Sequence, residues 1–185
     1  MMITLTGFMG SGKTTVGKVL ADFLGCPFMD LDDLVVKKAG KSIPDIFAQD
    51  GEPAFRQLEA QVLRKTVEKY AESTAVLALG GGAILAPASA ALLHEKTVCI
   101  YLRASLDTLL QRLSGETAGR PLLQEIPDQV GDDGGSVVMP GPDRVSVSAR
   151  LAAREPIYEK TAHVVIDTDG LSPDEVADEI IISAL

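Results

Sequence analysis

The chain has 185 residues, 46 % of them apolar and 23 % charged, which is enough for a single domain with its own hydrophobic core. The net charge is −9, and an acidic surface argues against nucleic acid and acidic lipid as partners, since both need a basic field. No apolar run approaches the ~20 residues of a membrane span, and no cationic stretch precedes the first apolar one, so the expectation is a cytoplasmic protein.

Residues Met2–Thr6 are apolar and β-branched and stop at Gly7, the pattern of a buried strand. Val16, Val19, Leu20, Phe23 and Leu24 then recur at helical spacing until Gly25. Phe28–Asp30 reads as a second strand, 32–39 and 42–50 as short helices around Gly40, and 52–70 as a long helix. A third strand at 75–79 runs into Gly80-Gly81-Gly82. Pro87 opens a helix, 97–102 is a fourth strand, and 105–113 is helical. Residues 115–142 are rich in Gly, Pro and Asp without a sustained period, as expected of a functional lid or a disordered segment. Helical spacing returns over 145–158, and 164–167 is a fifth strand. Ser172-Pro173-Asp174-Glu175 opens the last helix with a capping box. Strands alternating with helices imply one parallel sheet covered on both faces, with ligands outside the carboxyl ends of its strands. Cys26 and Cys99 lack paired spacing and read as small hydrophobes.

Residues 7–15, GFMGSGKTT, match the glycine-rich phosphate loop between a strand and a helix. Its glycines let successive backbone N–H groups face a phosphate, and the helix N-terminus adds its dipole. Lys13 is placed to bridge the β- and γ-phosphates of ATP, and the Thr14 hydroxyl can ligate Mg²⁺. Asp30-Leu31-Asp32 follows the second strand where the chain turns. One carboxylate can hold Mg²⁺ through water and the other can take hydrogen bonds or a proton from a substrate hydroxyl, unless Asp32 or Asp33 merely caps a helix. Arg56 and Glu59 sit one helical turn apart: either an ordinary surface pair, or a glutamate orienting a guanidinium fork toward a substrate carboxylate. Gly80-Gly81-Gly82 permits close backbone approach to a ligand, or is a flexible turn. Arg120 lies in the lid segment, where it can close over the γ-phosphate. Arg154 is a second candidate cation or a solvated charge.

In order, GFMGSGKTT, DLD, FR with Glu59, LGGGAI, RPLL and REPIYE resemble shikimate kinase over nearly the whole chain. The resemblance implies a single-domain α/β P-loop kinase: a five-stranded parallel sheet of the nucleoside-monophosphate-kinase type with a mobile lid. It implies transfer of phosphate from ATP to the 3-hydroxyl of shikimate, a step toward chorismate and the aromatic amino acids. By the matching motifs, Gly10, Ser11, Gly12, Lys13, Thr14 and Thr15 would cradle the phosphates. Thr14 and Asp30 would hold Mg²⁺. Asp32 would bind the hydroxyls and act as the base. Arg56 and Arg154 would clamp the carboxylate. Gly80, Gly81 and Gly82 would line the substrate pocket with Phe47 and Phe55. Arg120 would come from the lid, and Arg112 and Pro173 would lie near the adenine. Shikimate and ATP are the expected partners of a monomer. The segment between Arg120 and Arg154 is longer than the lids of that family and carries Asp128, Asp132 and Asp133. Two other readings compete: a kinase for another hydroxy acid such as gluconate or quinate, and a P-loop module that binds nucleotide without turnover.

Overall fold

The computed structural model describes residues 1–116 and 144–184. Five strands, β1 (Met2–Thr6), β2 (Phe28–Asp30), β3 (Ala75–Ala78), β4 (Val98–Arg103) and β5 (Val164–Asp167), form one parallel sheet in the order β2-β3-β1-β4-β5. The central strand is therefore the one that feeds the phosphate loop. Register sets Leu5 against Ala78 on one side and Ile100 on the other, so β1 and β3 end within one residue of each other and β4 runs two residues further.

Strand side chains alternate between two cores, as a pleated sheet requires. Ile3, Leu5, Val76, Ile100, Leu102 and Ile166 pack under α1 (Lys13–Leu24) and α7 (Pro173–Ala184). Met2, Leu77, Cys99 and Tyr101 face the other way, onto α2 (Leu31–Ala39), α3 (Ile43–Lys69), α4 (Pro87–Lys96) and α6 (Arg144–Thr161). α5 (Leu106–Glu116) joins a small third cluster with Phe8 and Val147. α1 lies so close on the sheet that a Cβ at Gly17 would meet the Phe28 ring at 2.5 Å. Leu63 is fully buried in α3, where truncation to alanine would cost about 2–5 kcal/mol.

Several boundaries differ from the sequence expectation. Within α3, by contrast, the two expected helices, 42–50 and 52–70, are both present, divided at Gly51, whose φ of 81° and ψ of 169° are not helical. Thr97 is not in β4: it ends α4, with its N–H and hydroxyl both donating to the Leu93 carbonyl. α5 continues through Glu116, past the expected start of the lid. The glycine triplet leads into a short 3₁₀ turn, Ala83–Leu85, that sequence period does not announce. The capping box at Ser172 forms as expected, with Ser172 N–H donating to Glu175 Oε2 at 2.8 Å. Cys99 is buried, Cys26 is half-buried, and both thiols are free. No helix among the described residues is long and apolar enough to cross a membrane.

Candidate active site

The loop after β1 turns back on itself through glycine. Gly10 and Gly12 have φ of 79° and 94°, left-handed conformations that side-chain-bearing residues rarely adopt. Gly12 is the N-cap of α1, and no side chain caps that helix or places a carboxylate in its first turn. The helix end thus keeps its N–H donors and its positive dipole for an anion. Lys13 Nζ folds over the loop and donates to the Gly7 and Phe8 carbonyls at 3.0 and 2.9 Å.

Beside the loop, Thr14 Oγ1 donates to Asp30 Oδ2 at 2.9 Å. The other oxygen of the same carboxylate, Oδ1, accepts from Asp32 N–H at 3.0 Å and is the N-cap of α2. The cap is therefore Asp30, and neither Asp32 nor Asp33 fills that role. Asp32 keeps its carboxylate for other partners. Burial raises its pKa above the ordinary value, and Asp30 adds to the rise, while Lys13 and Arg56 pull it back.

The glycine triplet is the hub that gathers the remaining candidates. A Cβ on Gly80 would stand 2.7 Å from Asp32 Oδ1, and one on Gly82 would stand 2.6 Å from Arg56 Nη1. Between them, a Cβ on Gly81 would meet Gly7 O and Met9 N at 3.8 Å and Arg154 Nη1 at 3.9 Å. Neither Gly80, Gly81 nor Gly82 has a positive φ. Close approach, rather than backbone conformation, is what requires glycine at 80 and 82. The triplet is thus a packed contact surface and not a flexible turn.

Arg56 Nη1 donates to Glu59 Oε2 at 3.0 Å and its Nε to Glu52 Oε1 at 3.3 Å. Its guanidinium carbon lies 5.2 Å from the centre of the Phe55 ring. Phe55 in turn packs on Phe47, with ring centroids 4.7 Å apart. The two rings back the arginine from the core rather than forming the wall of the cavity in front of it. That cavity has a volume of about 350 Å³, within the range of small-ligand sites. Arg56, Arg154, Glu52, Glu59, Gly82 and Ser89 are among its lining residues. Asp32 lies beyond its wall, on the Gly80 side and nearer the phosphate loop.

Arg112 joins the loop to the far edge of the sheet. It donates to the Gly10 carbonyl at 3.4 Å and to the Thr168 carbonyl at 3.0 Å. Pro173 follows a few residues after Thr168, at the start of α7. Thr15 is exposed on the first turn of α1, and Ser11 is buried with its N–H donating to the Phe8 carbonyl. Arg120 lies outside the described residues. The sequence reading assigns no role to three neighbours of the site, although Phe8 and Tyr158 stand inside its motifs. Phe8 lies under Arg154, 5.8 Å from ring centre to guanidinium carbon. Tyr158 donates to the Gly81 carbonyl at 2.7 Å. Glu52 was readable only as a helical neighbour four residues before Arg56.

Comparison with known proteins fits this arrangement. The shikimate kinase family model matches residues 9–184. The shikimate kinase of Salinibacter ruber is 44 % identical over 169 residues, covering 91 % of this chain and 78 % of that one. That of Enterococcus faecalis is 37 % identical over 97 % of this chain and 95 % of its own. Among solved structures, the Acinetobacter baumannii shikimate kinase in complex with shikimate superposes with a TM-score of 0.79 at 33 % identity, covering 97 % of this chain and 90 % of that one.

Proposed function

The chain belongs to the shikimate kinase family, and on that premise we propose that it transfers the γ-phosphoryl group of ATP to the 3-hydroxyl of shikimate at the site built around Gly80-Gly81-Gly82. The observation that carries this reading is the triplet itself. Three consecutive residues face Asp32, Arg154 with the phosphate loop, and Arg56. A carboxylate for a hydroxyl, two guanidinium groups for a carboxylate and an uncapped helix end for phosphate thus converge on one short segment.

The chemistry follows from the parts. The backbone amides of the loop over residues 10–15 and the Lys13 ammonium receive the triphosphate. Arg56 and Arg154 hold the substrate carboxylate, each charge-assisted bond worth about 1.5–3 kcal/mol. Asp32 accepts the hydrogen bond of the hydroxyl that reacts. That hydroxyl oxygen forms its bond to the γ-phosphorus as the bond to the β–γ bridging oxygen breaks. ADP leaves, and the hydroxyl proton passes to Asp32, whose raised proton affinity suits it to the task. Alignment and charge neutralisation do the rest of the work. Arg112, bonded to both Gly10 and Thr168, and the nearby start of α7 at Pro173 flank the loop on the side assigned to the adenine.

Mg²⁺ fits the donors present. Thr14 Oγ1 and Asp30 Oδ2 are hard oxygens 2.9 Å apart beside the loop. Among the described residues, no group of three or more His, Cys, Asp or Glu side chains could form an all-protein cage. A small donor set suits an ion that keeps water and phosphate oxygens as its other ligands. Bound there, Mg²⁺ would offset the charge on the β- and γ-phosphates.

A panel assay of ADP release with Mg·ATP tests the assignment. Shikimate is expected to support turnover, and gluconate and quinate are not. Turnover with another acid and none with shikimate would replace the substrate. Nucleotide binding without turnover on any acid would leave only the binding-module reading.

A further inference from the structure

We infer that Tyr158 is a positioning residue for the substrate-carboxylate clamp, its hydroxyl locking Arg154 to the Gly81 segment. The inference rests on the reading of Arg154 as a clamp for the substrate carboxylate and adds a residue that this reading does not contain.

Arg154 sits on α6, whose turn at this point is weakened by Pro156. Proline has no N–H to offer the carbonyl four residues back, so the helix loses a bond in the turn that carries the arginine. Tyr158 follows Arg154 by four residues and so shares its face of the helix. Its hydroxyl donates to the Gly81 carbonyl at 2.7 Å, anchoring α6 to the segment after β3. A Cβ on Gly81 would lie 3.9 Å from Arg154 Nη1, so the arginine head is beside the anchored residue. Burial raises the Tyr158 phenol above its ordinary value, and the Arg154 guanidinium nearby acts against the rise. A phenol oxygen donates once and keeps lone pairs to accept, so one hydroxyl can serve both partners.

The ring is fixed as firmly as the hydroxyl. Tyr158 is fully buried and packs on Tyr101, with ring centroids 5.1 Å apart. Tyr101 makes the contrast. Its own hydroxyl is buried with no hydrogen-bond partner among the described residues. Two phenols packed at a tilt of 31° thus differ in one respect: Tyr158 reaches the glycine segment through its oxygen, and Tyr101 contributes only its ring.

The experiment compares Tyr158→Phe, Tyr101→Phe and Arg154→Ala by steady-state kinetics in both substrates, with the thermal midpoint of each. Tyr158→Phe is expected to raise the KM for shikimate by up to about tenfold, through loss of the hydrogen bond to the Gly81 carbonyl, with the KM for ATP unchanged. Tyr101→Phe is expected to leave both values at the parent level. Tyr158→Phe in the Arg154→Ala background is expected to add less than it does alone, because the two act on one contact. If Tyr158→Phe lowers the thermal midpoint without moving the shikimate KM, or if Tyr101→Phe raises that KM equally, the inference is overturned. If Arg154→Ala itself leaves the shikimate KM unchanged, the clamp reading fails, and the Tyr158 assignment falls with it.

Discussion

Arg56 and Glu59 share a hydrogen bond of 3.0 Å, but the arginine side chain is 36 % exposed and the glutamate only 6 %. The pair is lopsided. Burial raises the Glu59 pKa, and Arg56 is the group that opposes the rise. Removing the arginine therefore leaves a buried carboxylate without its counter-charge.

Arg56→Ala is accordingly expected to lose both affinity and stability, and the two losses are separable. With Arg56 gone, the folded-state pKa of Glu59 climbs further above its unfolded value. A carboxyl group raised in this way favours the folded state only while protonated, so the variant lies closest to the parent at acid pH. It falls behind as pH rises through the folded pKa. Adding Glu59→Gln should restore the thermal midpoint at neutral pH but not the KM for shikimate. Melting curves across pH with parallel kinetics check both halves, and a double variant that regained affinity would remove Arg56 from substrate binding.

Asp32→Asn should lose most of kcat while binding ATP as before. Its stability should move the other way. The raised folded pKa means that ionised Asp32 disfavours the folded state above that pKa, so the neutral amide stabilises at pH 7. Each kcal/mol recovered lifts the midpoint by about 2–4 °C in a chain of this size. In the parent enzyme the acid limb of kcat/KM should titrate above the ordinary aspartate range. An unchanged kcat in the variant would take Asp32 out of the mechanism.

Lys13→Ala should cut kcat by about 10²–10³-fold or more, as expected for loss of a charge that stabilises the transferring group. It also removes two bonds to loop carbonyls, at about 1 kcal/mol net each. Circular dichroism should remain that of the parent. Normal turnover would refute the phosphate-loop assignment.

Gly80→Ala and Gly82→Ala should act on different kinetic constants. Each Cβ would press on a side-chain tip, Asp32 Oδ1 at 2.7 Å or Arg56 Nη1 at 2.6 Å, so the tip shifts and the fold survives. Gly80→Ala is expected to depress kcat mainly, through the displaced Asp32 carboxylate proposed as the base. Gly82→Ala is expected to raise the shikimate KM, through the displaced guanidinium. Identical effects from both would count against separate roles for the two side chains.

Chelation with EDTA should abolish turnover and added Mg²⁺ restore it, with Thr14→Ala needing more Mg²⁺ to reach half-maximal rate. An unaltered Mg²⁺ requirement in Thr14→Ala would remove its hydroxyl from the metal site.

The sequence alone determined whatever depends on near neighbours. The phosphate loop is legible because strand, glycines, lysine and helix start fall within a dozen residues, and backbone geometry couples them directly. The capping box at Ser172, the five strands and the Arg56–Glu59 pair are legible for the same reason: period and short spacing decide them. Tertiary structure alone decided which side chain each glycine of the triplet faces, because Asp32, Arg56 and Arg154 arrive on three helices whose meeting depends on the strand order. It also decided that Asp30 caps α2 and so leaves Asp32 for the site, a choice between carboxylates two residues apart that spacing does not resolve. Phe8 under Arg154 and Tyr158 against Gly81 were beyond reach altogether: each pairs residues more than 70 positions apart, and only the packed sheet brings them into contact.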